Sequence, residues 1–145
     1  MRALVQRVTS ASVAVAGDMV GAIGEGLCVF VGVAHPDDTD GAARMAQRLW
    51  HLRVFNDERG KPNLSAADLD RELLVVSQFT LYADTSRGRR PSYAAAAAPE
   101  RAERLVETLV EALRGLGARV ATGRFGAAMT VTLVNDGPYT LIVDT

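Results

Sequence analysis

Few residues in this chain have side chains that could make or break a bond. A serine or threonine nucleophile needs a base within hydrogen-bond reach. Ser77 and Thr80 stand at the end of an apolar run, Glu72 to Val76, but neither His35 nor His51 adjoins them in sequence. On residue type alone, the two hydroxyls serve equally well as structural caps or as catalysts. An activated ester changes the requirement, because its hydrolysis needs less help than that of an amide. Positioned backbone amides and an oriented water can then suffice. Cys28 is the single cysteine and sits among Leu27, Val29, Phe30 and Val31, so it reads as a buried core thiol rather than a nucleophile. Two histidines and one cysteine, with no HxxxH or CxxC spacing, predict no metal, since a structural zinc wants about four such ligands. No cofactor is expected either. The glycine-dense Gly21-Ala22-Ile23-Gly24-Glu25-Gly26 does not lead from a strand into a helix, so it reads as a hairpin rather than a phosphate cradle.

Three further segments could carry function. Thr122-Gly123-Arg124-Phe125-Gly126-Ala127-Ala128-Met129 bridges two predicted strands. Asn135-Asp136-Gly137-Pro138-Tyr139-Thr140 bridges two more, and composition makes it a turn. Arg87, Arg89 and Arg90, around Gly88, form the one dense basic cluster. It is either a solvated loop or a phosphate contact.

The elements that must position these residues alternate between strand and helix. Ala3–Val8, Ser12–Ala16 and Met19–Ile23 read as strands, the last two separated by a Gly17-Asp18 turn. Leu27–Val33 is nearly all apolar, as befits a strand covered on both faces. Asp37, Asp38 and Thr39 offer N-cap oxygens to a helix whose apolar face is Ala42, Met45, Ala46 and Leu49. Trp50 and His51, near its end, read as packing and surface. A short strand is predicted at Arg53–Phe55, a turn at Asp57–Gly60, and a one-turn helix after a Ser65–Asp68 capping box. Glu72–Val76 is a buried strand that leads into Ser77. The clearest helix runs from Pro99 to about Leu116 on the stripe Ala102, Leu105, Val106, Leu109, Val110 and Leu113. Strands at Ala118–Thr122, Thr130–Val134 and Leu141–Asp144 follow. The expectation is one α/β domain over residues 1–145, with a mixed sheet and two main helices.

Bulk properties fit that picture. The chain has 145 residues, 48% of them hydrophobic and 23% charged, with no repeat or low-complexity tract. Its net charge of −1, from 16 basic and 17 acidic residues, argues against coating a nucleic-acid duplex, so no DNA partner is expected. It leaves room for gripping one single-stranded end. No segment has the length of a membrane span or a signal-peptide core, so the expected compartment is the cytoplasm and no membrane partner is expected.

Six motifs in register resemble one family. The opening Met1-Arg2-Ala3-Leu4-Val5-Gln6-Arg7-Val8 with Ala11-Ser12-Val13, the pair Ser77-Gln78-Phe79-Thr80-Leu81 and Asn135-Asp136-Gly137-Pro138, and Gly60–Ser65, Arg90-Pro91-Ser92 and Gly123–Met129 between them are similar to the D-aminoacyl-tRNA deacylases. The resemblance covers essentially the whole chain. It implies a barrel-like, strongly curved sheet and a homodimer with active sites at the subunit interface. It implies hydrolysis of the ester of D-aminoacyl-tRNA, and of glycyl-tRNA as a side activity. Ser77, Gln78, Phe79 and Thr80 would then line the pocket for the 3′-terminal adenosine and the ester, with Phe125, Met129 and Asn135 among the substrate-binding residues. Gly137-Pro138, in the cis form, would reach in from the partner subunit and exclude L side chains. Arg87, Arg89 and Arg90 would contact the tRNA acceptor end.

Two routes are open on this resemblance: attack by Thr80, or water assisted by the free hydroxyl of the terminal ribose. The absence of a neighbouring base favours the second, with Gln78 and the amides near Phe79 and Thr80 as oxyanion donors. Tyr139 departs from the family, which usually has a small β-branched residue after the proline; it points either into the pocket or into packing. The rival readings are a small-molecule-binding oligomer and a plain tRNA-end binding module, which hydrolysis of a charged tRNA would separate from the enzyme.

Overall fold

One long strand, β1 (Arg2–Val15), organises the computed structural model, which describes residues 1–145. One of its edges pairs antiparallel with β3 (Gly26–Gly32) over residues 2–8 and with β2 (Asp18–Ile23) over residues 11–15. Its other edge carries β8 (Met129–Asp144), antiparallel along nearly the whole length. Beyond β3 the sheet turns parallel, through β6 (Glu72–Ser77) and then β7 (Val120–Thr122). Parallel neighbours need crossovers. The first contains α1 (Thr39–Trp50), a small hairpin of β4 (Phe55–Asn56) and β5 (Pro62–Leu64), and one turn of helix, α2 (Ala66–Leu69). The second contains α3 (Pro99–Gly115).

The ends of this mixed sheet nearly meet. A Cβ placed on Gly21 of β2 would lie only 2.5 Å from the carbonyl oxygen of Thr122 in β7, so the missing side chain is what permits the approach. The result is the curved, barrel-like α/β fold that the motifs imply.

Two apolar layers flank the sheet. Leu27, Val29 and Val31 of β3 and Leu73 and Val75 of β6 meet Met45 and Leu49 of α1 and Leu105, Leu109 and Leu113 of α3. Cys28, Leu74 and Val76 belong to the other layer, with Val8, Val13 and Ile23. These central strands are covered on both faces, which is why they read as continuous apolar runs. Trp50 is buried in the first layer and His51 is exposed at the helix end. The caps also form: the Asp38 carboxylate accepts from the Gly41 amide at 2.8 Å, and Ser65 and Asp68 make a reciprocal capping box.

Several boundaries differ from the expectation, and the strand expected from Ala118 begins at Val120. The strands predicted at 3–8 and 12–16 are one strand, because the exposed Thr9-Ser10 interrupts the apolar pattern but not the backbone pairing. The strands predicted at 130–134 and 141–144 are likewise one. Gln6 pairs with Thr140 and Val8 with Asn135, so Asp136–Tyr139 stand as a four-residue bulge opposite Arg7 rather than a turn between strands. The short strand expected at 53–55 lies at Phe55–Asn56.

Candidate active site

β6 does not stop cleanly at Ser77. The Gln78 amide still donates to the Val31 carbonyl at 2.8 Å, and the chain then turns into a 3₁₀ helix, Phe79–Tyr82. Gly32 makes this close approach possible: a Cβ there would meet the Tyr82 ring at 3.0 Å and the Gln78 carbonyl at 3.1 Å. No side chain caps this helix, and the first amides of any helix lack an internal acceptor. The Gln78 side-chain amide donates instead to the Thr80 hydroxyl.

A cavity of about 780 Å³ opens beside this turn. Ser77, Gln78 and Phe79 form one wall, Phe125 and Met129 from the β7–β8 connection a second, and Tyr93 with the alanines before Pro99 a third. Phe79 is 54% exposed, yet its ring stands edge-on to Tyr93, with centroids 5.0 Å apart. Two aromatic rings at an open rim offer apolar area to a flat ligand. Gly123 leaves the space that the Met129 sulfur fills, since a Cβ there would lie 2.5 Å from that atom. A second cavity, about 460 Å³, shares Ser77, Phe125 and Met129 and runs along Glu103, Glu107 and Glu111.

The lining is poor in ionisable groups. It contains no carboxylate; His35 contributes an imidazole whose Nε2 lies 3.1 Å from the Ala94 carbonyl. No cluster of three or more His, Cys, Asp or Glu side chains is placed to hold a metal. The shifted groups lie elsewhere. Burial pushes the Cys28 thiol up to about 11 and the Tyr82 phenol up to about 12. The cavity therefore offers a flat apolar ligand aromatic and aliphatic walls, with Ser77, Gln78 and His35 among its polar lining residues.

Ser77, Gln78, Phe79, Phe125 and Met129 thus share one cavity, as the motifs imply. Thr80 does not line it; its hydroxyl is taken up by Gln78. Gly137 and Pro138 on the β8 bulge, and Asn135 just before it, are exposed and line no part of this cavity within the chain. The Gly137–Pro138 peptide bond is cis. Arg87, Arg89 and Arg90 lie on an exposed loop closed by paired Asp84 and Ser92 backbone bonds of 2.8 and 2.9 Å. Sequence reasoning did not bring Tyr93, Ala94 or Ala96–Ala98 to the site, and it set His35 aside as a base or metal ligand. Alanine carries no chemistry, so the available signal was five alanines outside any amphipathic pattern, directly before the Pro99 helix start.

Comparison with known proteins places this arrangement in a context. The family model described as D-Tyr-tRNA(Tyr) deacylase matches residues 4–144. A Streptomyces coelicolor protein named D-aminoacyl-tRNA deacylase is 57% identical over 145 residues, covering 99% of both chains. A Chloroflexus aurantiacus protein of the same name is 55% identical, covering 99% of this chain and 90% of that one. A solved structure described as a c-Myc DNA unwinding element binding protein superposes with a TM-score of 0.93 at 40% identity, over 100% of this chain and 99% of its own. Another, described as a probable eukaryotic D-amino acid tRNA deacylase, gives a TM-score of 0.88 over 99% and 98% of the two chains. At 17% identity it bears on the fold alone.

Proposed function

The chain belongs to the D-Tyr-tRNA(Tyr) deacylase family, and on that premise we propose that it hydrolyses the ester between a D-amino acid and the 3′-terminal adenosine of tRNA. The observation that carries this reading is the cavity itself: Ser77, Gln78 and Phe79 face Phe125 and Met129 across a space rimmed by aromatic rings and free of carboxylates. The terminal adenosine lies against the apolar walls, and the ester sits at the start of the 3₁₀ helix. There the first amides and the Gln78 side chain stabilise the oxyanion. Thr80 has no base beside it, so the ribose hydroxyl assists water rather than the threonine attacking.

Gly137 and Pro138 act in the site of a second subunit. Their exposure on the bulge, away from the cavity of their own chain, supports a homodimer. So does the outer edge of β8, which pairs with no strand and carries Val134 and Ile142, each 56% exposed. A rigid backbone wall rejects an L side chain by clash, tolerates any D side chain, and does not reject glycine, so glycyl-tRNA is hydrolysed too. Asn135 ties this segment down, its Nδ2 donating to the Arg7 carbonyl at 2.9 Å. Arg87, Arg89 and Arg90 contact acceptor-end phosphates. Residues 1–145 work as one domain, and the compartment is the cytoplasm, where the substrate is made; no helix is long and apolar enough to cross a membrane.

Purified protein is assayed on matched D-Tyr-tRNA and L-Tyr-tRNA with a chelator present. Selective loss of the D ester is expected. Survival of both substrates at high enzyme concentration would overturn the deacylase reading, and equal hydrolysis would overturn the wall assigned to Gly137-Pro138.

A further inference from the structure

Arg7 is an unusual tenant of its strand. It follows Ala3 and Val5 on the side of β1 that faces the main core, and it is only 7% exposed. Its guanidinium is held from several directions. Nη1 donates to the Val54 carbonyl at 2.6 Å, Nε donates to the Asp136 carbonyl at 3.3 Å, and the Asp136 carboxylate forms an ion pair with Nε at 2.8 Å. These bonds lie along the edges of a planar group. The face is covered by Tyr139, whose ring centroid is 4.2 Å from Cζ. Tyr139 is itself half-buried and packs against the main core.

The bulge thus has two anchors on one cation. Asp136, at its start, is bound by the edge of the guanidinium, and Tyr139, at its end, lies on the face. Between them stand Gly137 and Pro138. Asn135 closes the base, donating to the Tyr139 carbonyl at 3.3 Å as well as to Arg7. The Asp136 side chain is 47% exposed, and an ion pair open to water on one side is a weak restraint. The ring over the face, by contrast, packs on its other side against the main core.

We propose that Tyr139 is a positioning residue for enantiomer selection: by pressing on Arg7 it fixes where the Gly137-Pro138 backbone stands. The inference rests on the reading of Gly137-Pro138 as the wall against L substrates. A wall acts by exclusion, so loosening it admits the wrong enantiomer more than it slows the right one. Removing a partly desolvated cation–π contact should therefore lower the D-over-L ratio of kcat/KM by about five- to thirtyfold.

The test compares full-length Tyr139→Leu, Tyr139→Phe and Pro138→Gly on D-Tyr-tRNA and L-Tyr-tRNA, with a thermal melt of each. Tyr139→Leu is expected to raise L-ester hydrolysis while D-ester kcat/KM changes little, and Tyr139→Phe, which keeps the ring, to retain the wild-type ratio. If Tyr139→Leu does not fold, Tyr139→Met is measured in its place and the same ratio decides. An unchanged ratio in the ring-less variant, or equal losses on both esters, overturns the inference. Should Pro138→Gly shift the ratio in that case, the wall stands and only the role of Tyr139 falls. Should Pro138→Gly also leave the ratio unchanged, the wall itself falls and the inference with it.

Discussion

Gly123→Ala probes how the cavity wall is built. Gly123 has no positive φ, so alanine suits its backbone, and the hydrogen bond its N–H donates to the Val75 carbonyl, 3.2 Å, is unaffected. The difficulty is spatial. The new Cβ would lie 2.5 Å from the Met129 sulfur, 3.7 Å from its methyl carbon and 3.8 Å from a Val13 methyl. Ordinary contact between such atoms is at about 3.5–4.0 Å, so the sulfur must move by roughly an ångström or more. Restricting the unfolded chain stabilises by about 0.4–1 kcal/mol, while overpacking costs about 1–3 kcal/mol. Methionine yields easily, so a net destabilisation of about 0–2 kcal/mol is expected. Met129 lines the cavity, and a thioether pushed into it takes room from the ligand. One misplaced methylene-sized group in an apolar pocket costs about 1–3 kcal/mol, so kcat/KM on D-Tyr-tRNA should fall about ten- to two-hundredfold. The decisive assay is a double-mutant cycle with Met129→Ala, read by chemical denaturation. In that background Gly123→Ala should be neutral or stabilising. An equal penalty in both backgrounds would refute the clash as its cause.

Thr80→Ala should keep kcat/KM on D-Tyr-tRNA within about tenfold of wild type, a loss of about 1.4 kcal/mol or less, since the Thr80 hydroxyl is engaged by Gln78 and does not line the cavity. A loss of about 10⁴ or more, as follows removal of a true nucleophile, would restore the covalent route. Cys28, buried and pushed up to about 11, should resist a thiol reagent at pH 8 in the folded protein and react once denaturant is added; fast labelling of native protein contradicts its place in the core. The Asp144 carboxyl is held below its ordinary range, first by the Arg2 hydrogen bond of 2.9 Å. Because its folded pKa is depressed, the stabilisation is present above the ordinary carboxylate range and fades as pH falls through it. The melting-temperature gap between wild type and Asp144→Asn should therefore shrink on acidification; the pair is half-exposed, so the gap is small throughout.

Much of this architecture was legible because the signals were local. The stripe from Ala102 to Leu113, the Ser65–Asp68 box and the apolar runs of β3 and β6 each depend on neighbours a few residues away. What stayed hidden depends on distant partners. That 130–134 and 141–144 are one strand follows from their common pairing with β1, more than a hundred residues earlier in the chain, and no pattern within Asn135–Thr140 reports it. The motifs placed Ser77–Phe79, Phe125 and Met129 at one site. They missed the alanine wall, which contributes only space, and Tyr93, whose ring acquires a use only when Phe79 is folded against it.

The distribution of perturbed groups bears on how such a site works. Active sites that transfer protons through side chains concentrate shifted pKa values where the chemistry is. Here Arg2, Cys28, Asp68, Tyr82, Asp84 and Asp144 are shifted, and none of them lines the cavity. The residues that shape the cavity do so by space: Gly32 lets the 3₁₀ helix settle on β3, and Gly123 admits Met129. That is a fitting division of labour for an already activated ester, whose hydrolysis needs position and oriented N–H groups more than a tuned base. It also locates the chain's sensitivity to substitution. Changes that alter spacing at Gly32 or Gly123 should lower kcat/KM on the D ester more than changes to any ionisable side chain outside the Arg7 cluster and the Arg87–Arg90 loop, and a panel comparing the two sets at matched stability would reverse this argument if the order were inverted.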